Sequence, residues 1–131
     1  MLRIGHATAF GDAAATKTIS SGGTSILDLN GFSNPNTTHS WSVGGASSLG
    51  NIVNTNTSTT ATIAGNITLG NFGNDAYVPF GGPGNITFTG NISNQANANA
   101  APINFRGCGT FTVRGDFDNQ AITTAKPELR S

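Results

Sequence analysis

Apolar and small polar residues alternate along this chain in short bursts, each closed by glycine. Gly65-Asn66-Ile67-Thr68-Leu69-Gly70-Asn71 returns 19 positions later as Gly84-Asn85-Ile86-Thr87-Phe88-Thr89-Gly90-Asn91. A looser copy, Gly109-Thr110-Phe111-Thr112-Val113-Arg114-Gly115-Asp116, follows 25 positions after the second. An earlier relative is Ile26-Leu27-Asp28-Leu29-Asn30-Gly31. Alternation with period 2 places every second side chain on one face, so each burst predicts a half-buried strand. The Gly-Asn or Gly-Asp pair that follows suits a tight corner, because glycine tolerates positive φ.

The same reading predicts strands at Ser25–Leu29, Ser40–Val43, Leu49–Asn54, Thr60–Ala64, Ile67–Leu69 and Ala76–Phe80. Four more fall at Ile86–Thr89, Ile103–Arg106, Thr110–Arg114 and Ala121–Thr124. Asn34-Pro35-Asn36, Gly44-Gly45 and Gly81-Gly82-Pro83-Gly84 separate them as turns. No sustained 3.6 period occurs after residue 16. Residues 1–16 read as a poorly ordered or capping lead-in, and 17–131 as one repeat domain.

Repeats of 19 and 25 residues are long enough for one coil of a stacked-strand solenoid. The expected fold is therefore all-β, a parallel β-helix of five to six coils standing roughly 25–30 Å tall at one strand spacing per coil. Its interior would hold Ile26 or Leu27, Leu29, Val43, Ile52, Ile63, Ile67, Leu69, Ile86, Phe88, Phe105, Phe111 and Val113. Asn and Thr at the corners would form hydrogen-bonded ladders, as in other stacked β structures.

Composition narrows the function. The net charge is zero and only 9% of residues are charged, against 36% hydrophobic. Scattered Lys and Arg give no basic stripe, which argues against nucleic acid. Gly, Asn, Ser and Thr make up about half the chain. No stretch approaches the length of a transmembrane helix. Met1–His6 carries no signal-peptide core, so surface-type composition here suggests a piece of a longer polypeptide. Its flanking coils would then be its natural partners.

No motif yields a convincing reaction centre. Asp116 and Asp118 are the only acids close in sequence, and Asp28, between two leucines, is expected to point outward alone. His6 and His39 lack a nucleophilic partner, and the lone Cys108 reads as a small apolar residue near a strand start. Gly81–Thr89 resembles a calcium nonapeptide, but Ile86 stands where the aspartate would be. Arg114-Gly115-Asp116 spells an integrin tripeptide, with its glycine at a repeat corner. The sequons at Asn66 and Asn85 lie within the repeat, where a corner ladder accounts for them. No cofactor, metal site or catalytic residue is expected. One binding site is conceivable: Phe72, Tyr77 and Phe80 flank a Gly-rich stretch and, with Trp41, could form an aromatic platform for a surface polysaccharide.

The segments Ile26–Ser33, Ile63–Asn71, Gly84–Ser93 and Gly109–Asp116 resemble the autotransporter-associated β-strand repeat, also called the passenger-associated transport repeat. Gly109–Gly115 matches its first half well, whereas Phe117–Gln120 and Ala121 depart from its second half. The resemblance implies a right-handed β-helix in the stalk of an exported bacterial surface protein, and so an extracellular or cell-surface location. That repeat carries no catalytic residues. Three functions follow: a structural stalk segment, a carbohydrate- or surface-binding adhesin module around residues 72–80, and a β-helical polysaccharide-degrading enzyme.

Overall fold

A computed structural model of the chain describes residues 1–11, 14–19, 25–44, 50–70, 77–94 and 103–118. Among these there are thirteen strands and no helix. In chain order they are β1 (Leu2–Arg3), β2 (Thr16–Ile19), β3 (Leu27–Asp28), β4 (Ser40–Val43), β5 (Ile52–Val53), β6 (Ala61–Ile63) and β7 (Asn66–Leu69). Then come β8 (Tyr77–Gly81), β9 (Ile86–Phe88), β10 (Ile92–Asn94), β11 (Ile103–Arg106), β12 (Phe111–Val113) and β13 (Phe117–Asp118). The expected strand at Ala121–Thr124 lies outside the described residues.

The strands form three parallel sheets. The first sheet runs β1-β3-β5-β8-β11, the second β2-β4-β7-β10-β13 and the third β6-β9-β12. Every neighbouring pair is parallel. Sequence-adjacent strands lie in different sheets, so the chain visits the sheets in turn and stacks coil upon coil. Three coils contribute a strand to all three sheets. The two before them use the first and second, and Asn34 makes a single bridge to Ile63 at the third. This is the expected solenoid, with three complete coils where five to six were anticipated.

The recurring coil length is 25 residues, while other rungs take 24 (Thr16 to Ser40), 26 (Trp41 to Ile67) or 28 (Ile52 to Phe80). Leu2 pairs with Leu27 and Leu27 with Ile52; Ile67 pairs with Ile92 and Ile92 with Phe117; Ala61 pairs with Ile86 and Ile86 with Phe111. The 19-residue spacing has another meaning. It carries Ile67 on β7 of the second sheet to Ile86 on β9 of the third. The Gly-Asn-Ile word marks a corner into a strand, wherever that corner lies. The vertical relatives of Gly65-Asn66-Ile67 are Gly90-Asn91-Ile92 and Gly115-Asp116-Phe117.

Register converts the alternation into apolar columns. Leu27, Ile52, Phe80 and Phe105 stack in the first sheet. Trp41, Ile67, Ile92 and Phe117 stack in the second, and Ile63, Phe88 and Val113 in the third. All but the lowest rung of each column are buried. Of the anticipated interior, Leu27 rather than Ile26 joins the core, while Phe105, Phe111 and Val113 pack against it half-exposed. Rings of Phe80 and Phe88 approach to 4.5 Å between centroids, and Phe80 and Phe105 to 5.5 Å. Each fully buried side chain of this size contributes about 1.5–3 kcal/mol.

The two ends differ. Stacking starts at Leu2, earlier than the boundary expected at residue 17. Ile4 is buried, and Phe10 lies edge-on against Trp41 with centroids 5.1 Å apart. The lead-in thus closes the upper end of the core. At the lower end Phe105, Phe111 and Val113 are half-buried and Phe117 is 39% exposed.

Corners require glycine for proximity as much as for φ. A Cβ on Gly65, whose φ is +90°, would land on the His39 carbonyl oxygen. One on Gly90 would meet the Gly65 carbonyl, and one on Gly115 the Gly90 carbonyl. Gly90→Ala should therefore destabilise the fold by at least about 2 kcal/mol, a value typical of strained backbone sites. Gly5→Ala, with open space around its Cβ position, should be near neutral. Urea midpoints of the two variants measure the difference.

Candidate functional site

Two of the four aromatic candidates, Trp41 and Phe80, are interior residues. Trp41 is 1% exposed and Phe80 is 0% exposed. Both sit at inward positions of their strands, where the alternation that makes the core also directs them. The Trp41 indole N–H donates to the Ala64 carbonyl at 3.1 Å, which satisfies its polar end inside the stack. Tyr77 begins β8 by its backbone, and Phe72 lies outside the described residues.

Polar organisation concentrates at the corners instead. Asn54 Oδ1 accepts from the amides of Gly31 at 2.9 Å and Asn56 at 3.1 Å. Its Nδ2 donates to the carbonyls of Thr59 and Asn85, at 3.0 and 2.8 Å. Asn56 Oδ1 in turn accepts from the amides of Ser58 and Thr59. The same run of two successive Asx turns occurs at Asn34 and Asn36, whose side-chain oxygens accept from the amides of Asn36 and Thr38. The signal was present in the sequence as Asn34-Pro35-Asn36-Thr37-Thr38 and Asn54-Thr55-Asn56-Thr57-Ser58. Buried His39 closes this corner, with Nδ1 3.0 Å from Asn34 Nδ2. The expected ladders are also present. Asn66 Oδ1 accepts from the Asn91 amide, Asn91 Oδ1 from the Asp116 amide and Asn85 Oδ1 from the Thr110 amide, each at 2.9–3.0 Å across one coil.

Asp28 corrects the sequence reading most sharply. It was expected to point outward alone, yet it is 0% exposed. Register places β3 between β1 and β5, so an outward side chain on it is closed over by residues of both neighbouring coils. Arg3 Nε and the Thr55 hydroxyl both donate to Oδ2 at 2.7 Å. The amides of Asn30 and Thr55 donate to Oδ1 at 3.0 and 3.1 Å. Burial pushes the carboxyl up. The hydrogen bonds from the Thr55 hydroxyl, the Asn30 and Thr55 amides and Arg3 outweigh it and hold the group below the ordinary carboxylate range. With both oxygens engaged, Asp28 is a staple between coils and a poor candidate for a general base.

The other candidates are equally fixed. In Arg114-Gly115-Asp116 the Arg114 amide donates to the Phe88 carbonyl at 2.9 Å, and the Asp116 amide is held by Asn91. The tripeptide is a rung of the stack, not a protruding loop. Cys108, read as a small apolar residue near a strand start, is an exposed free thiol in the corner between β11 and β12. It borders a shallow groove of about 340 Å³ whose walls include Met1, Ile26, Val53, Pro83 and Arg106. Among the described residues that line it there is no Asp, Glu or His. Among the described residues no three His, Cys, Asp or Glu side chains converge.

Fold and corners together define a parallel β-solenoid built on glycine and asparagine corners. Comparison with family models, curated proteins and solved structures returned no match.

The folded value of Asp28 lies below its unfolded value. Its carboxylate therefore stabilises the fold above about pH 3.9, and that contribution disappears as pH falls through the folded value. Asp28→Asn should cost about 1.5–3 kcal/mol at neutral pH, the scale of hydrogen bonds to a charged group. It should also remove part of the acid limb of the stability profile. Urea unfolding across pH 2–7 checks both, and an unchanged acid limb would contradict the assignment.

Proposed function

We propose that the chain is a structural, non-catalytic β-solenoid segment of a bacterial surface or secreted fibre. The observation that carries this reading is the lower end of the stack. There, among the described residues, the last strands of the three sheets are β11, β12 and β13, in register with those above, and the half-buried Phe105, Phe111 and Val113 continue the interior columns to that edge. A further coil of the same pattern can add to that edge, pairing backbone with backbone and extending the rod by about 4.8 Å. A spacer needs no more than this: height that grows with coil number, and little charge to attract other macromolecules.

The likeness of its corner words to the autotransporter-associated repeat supports a place outside the cell, in the stalk of a passenger-type protein. Its reliance on Gly, Asn, Ser and Thr, with one thiol and few charges, suits that setting.

Antibody labelling of intact producing cells, with protease accessibility and fractionation, tests the proposal. Signal on intact cells or in the medium is expected. Signal confined to the cytosolic fraction, with none on intact cells, would contradict it.

A further inference from the structure

The two ends of the stack differ in what they offer a neighbouring coil. β1 and β2 begin the first and second sheets, and β11 and β13 end them among the described residues. Each of these strands has one edge outside the ladders, with amide and carbonyl groups that another strand can meet. Such edges join copies of a chain end to end unless a side chain prevents it.

Lys17 is placed to prevent it. Register aligns Lys17 with Trp41, and Trp41 with Ile67, Ile92 and Phe117. Paired residues on neighbouring strands share a face. The column that is apolar from Trp41 downward therefore begins, at its top, with an amine. Burial agrees: Lys17 and Ile19 are half-buried, whereas Thr16 and Thr18 on the other face are exposed. The chain has only two lysines, so one at an inward position is not a by-product of a lysine-rich composition.

The rest of the upper level is apolar. Ile4 is buried, Phe10 lies against Trp41, and Leu2 heads the column of Leu27, Ile52 and Phe80. No carboxylate among the described residues pairs with Lys17. A half-buried lysine at an edge keeps its stem against apolar neighbours and its ammonium in water. A coil stacked above would remove that water and leave the charge unpaired against an apolar interior, which is costly.

The same columns define what a joint between copies would bring together. β11 of one copy would lie over β1 of the next, and β13 over β2. Phe105 would then meet Leu2, and Phe117 would meet Lys17. The lower end itself carries apolar residues at these positions, with Phe105 half-buried and Phe117 39% exposed. We infer that Lys17 is a stop: at an inward position of the uppermost second-sheet strand, it keeps the lower end of another copy of this chain from stacking on the upper end. The solenoid is open to a further coil from below and closed to one from above. Head-to-tail contacts that do not close into a ring propagate into filaments, and one misplaced charge per copy is enough to interrupt them. This polarity goes beyond the spacer reading and holds wherever the protein resides.

Sedimentation velocity of the purified full chain over a range of concentrations tests it. The unaltered protein should form no head-to-tail chains. Lys17→Ile should raise the weight-average mass at least about twofold at high concentration, since each joint adds a whole copy. Adding Phe117→Lys to that variant should return the mass to the unaltered value. Thr18→Ile puts the same apolar side chain on the exposed outward face of the same strand, and should leave the mass unchanged. Circular dichroism melts identify folded variants, with Lys17→Leu in place of Lys17→Ile if the latter does not fold. Folded Lys17→Ile with the mass of the unaltered protein would overturn the inference. So would equal growth in Thr18→Ile, or growth that survives Phe117→Lys. Chains already present in the unaltered protein and dispersed by Phe117→Lys would overturn it too.

Discussion

The architecture depends on how closely one coil can lie on the next. Interstrand hydrogen bonds hold neighbouring backbones about 4.8 Å apart, and a solenoid must keep that distance through its corners as well as its strands. Where Gly65, Gly90 and Gly115 stack, each carbonyl occupies the space a Cβ on the next glycine would need. That contact leaves one residue type possible at each level. Once the corner is set, the following strand enters its sheet in one register, because a slip of one residue would turn the whole apolar set outward. The columns from Leu27 to Phe105 and from Trp41 to Ile92 follow from it.

Corners also expose backbone amides that no strand can satisfy, and side-chain oxygens complete them. Asn66, Asn85 and Asn91 each reach one coil away to an amide. Asn34, Asn36, Asn54 and Asn56 act within their own corners. Asp28 does the same work with a charge, accepting from Arg3 above and Thr55 below. The strands supply apolar burial, and the asparagine and aspartate corners supply polar closure. A chain with so few charges can therefore hold many polar atoms in a compact stack, since unmet buried donors each cost about 1–3 kcal/mol.

Much of this was legible beforehand. Alternation marked Ser40–Val43, Ile67–Leu69, Ile86–Phe88 and Phe111–Val113 as strands with their apolar faces inward, and Gly-Asn words marked corners. The coil length was harder to read. The most similar words, 19 residues apart, occupy different sheets, so sequence likeness reflects the shared demands of a corner and not vertical neighbourhood. Trp41 and Phe80 were candidates for a surface platform because they sit in polar, Gly-rich company; alternation and register together send them inward. Asp28 looked solvated because alternation sees only its own strand, whereas its partners arrive from coils 25 and 27 residues away in sequence. The stacking of Thr62, Thr87 and Thr112 is likewise a product of register, and invisible until β6, β9 and β12 are aligned.

Deleting one coil tests the 25-residue stack most directly. Removing residues 67–91 joins Asn66 to Ile92, so the corner Gly65-Asn66 leads into Ile92-Ser93-Asn94, the strand one coil below. The account predicts a folded protein with native-like β circular dichroism and a cooperative melt, shorter by about one strand spacing. Removing residues 67–85 joins Asn66 to Ile86 and feeds a third-sheet strand into the second sheet; that variant should unfold. A folded 19-residue deletion beside an unfolded 25-residue deletion would contradict the stacking described here.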